Sequence, residues 1–161
     1  MRKHLVVASA TLAFLTAACG TSSSTASASP TSASCTNPTA KHRAYLVIQH
    51  GSGATLQKCV GFDSDNIPGT ELLKGSGTIY DAQIFSFGPG LCSVDYEPKT
   101  YSTCFPKDQP YWAIWVEVGG KWSSAATGYD KLMFHDREAM GLRYTPVTEA
   151  SPAPPPLAKE S

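Results

Sequence analysis

Charged residues are scarce in this sequence, 16% of 161, and they cancel, thirteen Lys and Arg against thirteen Asp and Glu. No run of basic residues forms a patch, which excludes the electrostatic footprint of a nucleic-acid binder and a polybasic lipid-binding surface. Long apolar runs are missing as well. The most apolar stretch, residues 5–18, is about fourteen residues, against roughly twenty for a spanning helix. No Cys-x₂-Cys element is present, which argues against a zinc site or a thiol redox pair. A Gly-x-Ser-x-Gly elbow is absent, as is a His-Glu-x-x-His or His-x₃-His pattern. Nothing in the chain repeats. With every mature cysteine expected in a bridge, no nucleophile with a positioned base is visible, so no catalytic residue is assigned and the expectation is a non-enzyme.

What is present starts at the amino terminus. Met1-Arg2-Lys3-His4 is a basic head, residues 5–18 are an uncharged apolar core, and Leu15-Thr16-Ala17-Ala18 leads straight into Cys19-Gly20. The core is too short to stay as an anchor and suits a cleavable export signal. The whole resembles a bacterial lipoprotein signal, residues 1–18, with Cys19 as the lipidated residue. That resemblance implies a diacylglyceryl thioether on Cys19, a membrane partner reached through lipid and a place on the extracytoplasmic face of the cell envelope. Two or more acyl chains hold where one does not, because each buried CH₂ adds about 0.8 kcal/mol. Loss of Arg2 and Lys3 leaves eleven basic against thirteen acidic residues.

Residues 20–34 are nearly all Ser, Thr and Ala. Such a segment cannot bury a core, and residues 19–40 read as a flexible tether. Ser151-Pro152-Ala153-Pro154-Pro155-Pro156 marks residues 147–161 as an extended, Pro-rich tail, disordered by composition. One small folded domain, residues 41–146, lies between.

Four cysteines remain in the exported chain: Cys35, Cys59, Cys92 and Cys104. An even number outside the cytosol predicts two disulfides, with three connectivities open. Proximity in sequence favours Cys92–Cys104 and therefore Cys35–Cys59.

The elements read as mostly β. Residues 44–50 and 55–60 form a hairpin around Gly51-Ser52-Gly53. Residues 63–69 are a loop, and 70–74 a short helix capped by Thr70 or a neighbour and stopped by Gly75. Residues 79–87 read as one strand, broken by Gly88-Pro89-Gly90 before a short strand at 91–94. Residues 95–110 form an irregular loop. The strongest strand signal is residues 111–118, turned by Gly119-Gly120 into 121–124. Residues 131–134 and 141–144 close the domain. The fold class is α+β, mostly antiparallel strands with one short helix, stapled by disulfides.

Tyr111, Trp112, Trp115 and Trp122 are the candidate ligand-binding residues. One face of their hairpin must be core, and the other could offer a flat aromatic platform. Packing alone also explains them, since aromatics favour strands. His42, His50 and His135 stand outside any ligand pattern. Asp63, Asp65 and Asn66 offer hard oxygens, but turn and cap roles explain them more simply. His135-Asp136-Arg137-Glu138 reads as a solvated turn.

The order of hairpin, short helix, strand and aromatic hairpin is similar to the family of the C-terminal domain of transcobalamin and intrinsic factor. The residues carrying it are Gly69-Thr70-Glu71-Leu72-Leu73, Cys92-Ser93-Val94-Asp95, Tyr111-Trp112-Ala113-Ile114-Trp115, Gly119-Gly120-Lys121-Trp122-Ser123-Ser124 and Gly141-Leu142-Arg143-Tyr144. The resemblance implies a β-grasp-like fold and ligand binding at the sheet or its loops, with corrinoids as the family's best-known ligands. No resident cofactor or metal is expected. The functional expectation is a non-catalytic, membrane-anchored binding module for a small ligand of corrinoid type. The alternative is a structural or protein-interaction lipoprotein with an envelope protein as partner.

Overall fold

The computed structural model describes residues 35–158; the expected export signal, Cys19 and most of the expected tether lie outside the described residues, as do residues 159–161. Among the described residues no helix is long and apolar enough to cross a membrane.

Strand β1 (His42–Gln49) turns through residues 50–54 into β2 (Thr55–Phe62), an antiparallel hairpin paired from His42–Phe62 to Gln49–Thr55. A two-residue strand, β3 (Ile67–Pro68), leads into the helix α1 (Gly69–Gly75). An arm follows, β4 (Tyr80–Phe85) and β5 (Gly88–Val94), paired only with each other. The loop 95–110 crosses to β6 (Tyr111–Val118), which turns into β7 (Lys121–Ser124). A 3₁₀ turn at Tyr129–Lys131 and β8 (Met133–Phe134), paired with β3, precede the last strand, β9 (Ala139–Thr145).

The main sheet has the order β2-β1-β9-β6-β7. Strand β9 inserts between the two hairpins, parallel to β1 and antiparallel to β6. The described residues form a small α+β fold of mostly antiparallel strands with one short α-helix. The inner face of the sheet carries Ala44, Leu46, Ile48, Trp112, Met140 and Leu142, and α1 closes it with Leu72 and Leu73. Those apolar positions alternate along each strand as period-two geometry requires. Strand β1 is nevertheless buried from Ala44 to Ile48 without a break. Its outer residues, Tyr45 and Val47, are covered too, so something packs on the second face.

Both expected bridges form, Cys35–Cys59 and Cys92–Cys104. The first ties the segment ahead of β1 to β2, where Thr36 also pairs with Val60. Gly119 and Gly120 have φ of 58° and 79°, the two left-handed residues that a two-residue hairpin demands.

Four local expectations change. Pro68 precedes α1 and no side chain caps it; neither Thr70 nor Asn66 does so. The helix start is held by Gly69, whose N–H donates to Leu132 O at 2.9 Å. Gly88-Pro89-Gly90 does not break a strand but lies inside β5, and the turn falls at Ser86-Phe87. A proline is tolerated there because β5 has a free edge. Finally, Lys131 belongs to the 3₁₀ turn, and residues 67–68 of the expected loop are paired strand.

Candidate functional site

Strand parity sorts the predicted aromatics onto opposite faces. Trp112 points inward and is 4% exposed. Its indole Nε1 donates to Glu97 O at 2.9 Å, Tyr144 packs on it at 5.1 Å between ring centres, and His50 meets it edge-on at 6.1 Å. It is a satisfied core tryptophan. Trp115 and Trp122 share the outer face, where Gly141 is the partner of Trp115 and Trp122 that of Glu117. Tyr111 lies at the start of β6, partly exposed. The four residues therefore do not form one platform. Tyr111, Trp112 and Trp115 do line one open groove of about 510 Å³, walled by Ser124, Ala125 and Thr127, with Pro152 at its end. Trp122 is not part of it.

Residues 147–158 have no helix or strand, as their composition predicts, yet they lie against the domain. The Arg143 guanidinium grips Glu149 through two N–H···O contacts of 2.7 and 3.0 Å and donates to Ala153 O at 2.8 Å. Such a forked pair is stronger than a single charged contact. Hydrogen bonding from Arg143, then from the Ala153 N–H, holds the Glu149 carboxyl below its ordinary value. Pro155 is buried. A Cβ on Gly141 would lie 2.7 Å from the Pro155 ring and 2.8 Å from the Trp122 indole. Ala158 packs on the cluster of Tyr45, Cys59 and Ala139. The tail, with Cys35 and Trp122, covers part of the second face. On that face the indole Nε1 of Trp115 and that of Trp122 are buried with no protein partner. Leaving such a donor unpaired costs about 1–3 kcal/mol.

The β4–β5 arm was not singled out in the sequence. At its tip Ile84 is 82% exposed and Phe87 68%. Phe85 and Phe87 stack with parallel rings 5.1 Å apart, and Phe105 leans on both at 5.4 and 6.3 Å. The Cys92–Cys104 bridge fixes the loop that delivers Phe105, and Gly90 leaves the space its ring fills. Burying one such side chain is worth about 1.5–3 kcal/mol, so this cluster is held out of a core at real cost. Alternation within Ile84-Phe85-Ser86-Phe87 was the available signal, hidden because the neighbouring Gly-Pro-Gly looked like the turn.

His50 sits at the end of β1 between two carboxylates. Its Nδ1 faces Glu97 Oε2 at 2.8 Å and its Nε2 faces Asp95 Oδ2 at 3.1 Å. Asp95 and Tyr96 both have positive φ, 48° and 63°, so a strained two-residue turn delivers these acids. With both nitrogens facing acids, the clamp reads as structural. Among the described residues no three His, Cys, Asp or Glu side chains are grouped to hold a metal. Asp63 accepts from the Lys41 N–H, Asp136 from the Arg43 N–H and Glu138 from the His135 N–H. These acids are turn residues.

Fold and surface together define a small, disulfide-stapled α+β domain bearing an exposed aromatic arm. No protein-family model matches the chain, and no curated protein matches it. Among solved structures it is similar to a Ruminococcus gnavus protein described as a "putative metal binding protein". The two are 21% identical with a TM-score of 0.49, over 66% of this chain and 98% of that one.

Proposed function

We propose that this protein is a non-catalytic, membrane-tethered interaction module that docks an envelope protein through its aromatic arm. The observation carrying this is the Phe85–Phe87–Phe105 ring cluster, with Phe87 and Phe105 exposed, Ile84 exposed beside it at the tip and the Phe105 loop fixed by a bridge. Exposed apolar patches of this kind on a small domain mark interaction sites. A lipid on Cys19 and the flexible tether would hold the arm beside the outer surface of a membrane, raising its local concentration there. The near-neutral charge of the sequence supports a protein partner over a nucleic acid. The β-grasp reading draws support from β9 inserted between two hairpins with one helix against the sheet.

The test uses the full chain in its native envelope, with Ile84→Ser and Phe87→Ser combined. Affinity purification from the wild type should recover a discrete partner that the variant loses, with the melting temperature of the domain unchanged. An identical set of partners from both chains would overturn the proposal.

A second reading keeps the small ligand. It is favoured by the 510 Å³ groove at Tyr111, Trp112 and Trp115, a volume suited to a small molecule. Titration of the mature chain with cobalamin, followed by tryptophan fluorescence, tests it. A Trp115→Phe variant should lose any response; no response in the wild type rejects a corrinoid.

A further inference from the structure

We infer that the outer face of the sheet, along β9 from Arg143 to Ala139, is a groove for an extended proline-rich peptide, and that the chain's own residues 151–158 occupy it in cis. This surface lies apart from the aromatic arm, so the two proposals stand separately.

The path of the tail is the first support. Ala153 is held at Arg143, Pro155 lies over Gly141, and Ala158 reaches the cluster of Tyr45, Cys59 and Ala139. From Arg143 to Ala139 is four strand steps, about 13 Å. From Ala153 to Ala158 is five steps, about 15 Å in an extended proline-type helix. The tail therefore lies stretched alongside β9 and antiparallel to it, its numbers rising from Ala153 as those of β9 fall from Arg143. The floor is the second support. Any side chain at Gly141 would collide with Pro155 and Trp122, so a glycine there gives the proline ring its seat.

The donors are the third support. Proline lacks an N–H, so a proline-rich segment presents carbonyl oxygens and flat rings. Aromatic grooves that take such segments match both properties. Here the Trp122 indole lies at the Pro155 seat, Trp115 lines the neighbouring groove that Pro152 ends, and the buried N–H of neither has an acceptor. The Arg143–Glu149 latch fixes the register of the cis tail. A peptide free of that latch can slide until its carbonyls meet the indoles. The attached tail still wins at rest, because a short linker gives it an effective concentration in the millimolar range. Opening the latch hands the groove to a segment supplied in trans.

The test uses two forms of the full chain, one ending after Ala150 and one carrying Glu149→Ala, with a synthetic peptide of residues 151–158 as probe. The truncated chain should show red-shifted tryptophan emission that the peptide reverses saturably, and Trp122→Phe should remove that response. A peptide with its four prolines replaced by alanine should not bind. In the uncut chain, Glu149→Ala should raise peptide affinity about tenfold over wild type by weakening the cis competitor. A dimer of this variant that the peptide disperses would show the groove taking the tail of a second copy, which supports the assignment. Equal binding of the alanine peptide overturns it. So does a Glu149→Ala chain that gains no affinity, which decides the matter even if truncation unfolds the domain.

Discussion

Pro155 and Trp122 meet over the bare Cα of Gly141, each closer than 3 Å to where a methyl group would stand. A tail with no regular structure is thereby packed as tightly as a core. Gly141→Ala should displace the strap and cost about 1–3 kcal/mol, the range for overpacking a filled site. Chemical denaturation followed by tryptophan emission checks it, and an unchanged midpoint would count against the packing described.

The latch should depend on pH in one direction. The Glu149 carboxyl is held below its ordinary value of 4.5. Its contribution to stability is therefore full above that value and is lost as pH falls through the lowered one. Wild-type emission should stay constant from neutral pH to the ordinary carboxylate range and shift only below it. Glu149→Gln should show the shifted emission already at pH 7.

The clamp on His50 predicts a stability effect without a ligand. His50→Ala takes the imidazole donor from Asp95 and leaves Glu97 Oε2 with the Gly51 N–H alone. We expect a loss of about 1–3 kcal/mol, read as a lower denaturation midpoint. His50→Gln should recover part of it, since an amide can still donate to one acid.

Removing the Cys92–Cys104 bridge as a double serine variant should cost about 2–3 kcal/mol for a loop this short. It should also release Phe105 from the arm. Partner recovery should fall more steeply than the melting temperature alone explains.

Much of the fold was legible. Tyr111–Val118 and Lys121–Ser124 stand where the pattern put them, because Gly119-Gly120 admits one tight turn and the flanking residues are β-formers. The hairpin of β1 and β2, the short helix and both bridges followed from equally local signals. The aromatic surface was harder to read. Alternation separates Trp112 from Trp115 but cannot say which face is core when both faces are covered. The cover depends on Arg143 finding Glu149 and on proline seating over glycine, contacts with no periodic signature. The arm was missed for a different reason: Gly88-Pro89-Gly90 carries the composition of a turn but pairs as strand, with Pro89 opposite Ile84.

The central claim is that the tip of the β4–β5 arm is a docking surface. The direct measurement is site-specific photo-crosslinking in intact cells, with the crosslinker at Phe87 and, as control, at Val118, which is exposed on the other hairpin. A discrete protein adduct from position 87, absent from position 118 and lost on adding Ile84→Ser, is the predicted result. No adduct from position 87, or the same adducts from both positions, would contradict it.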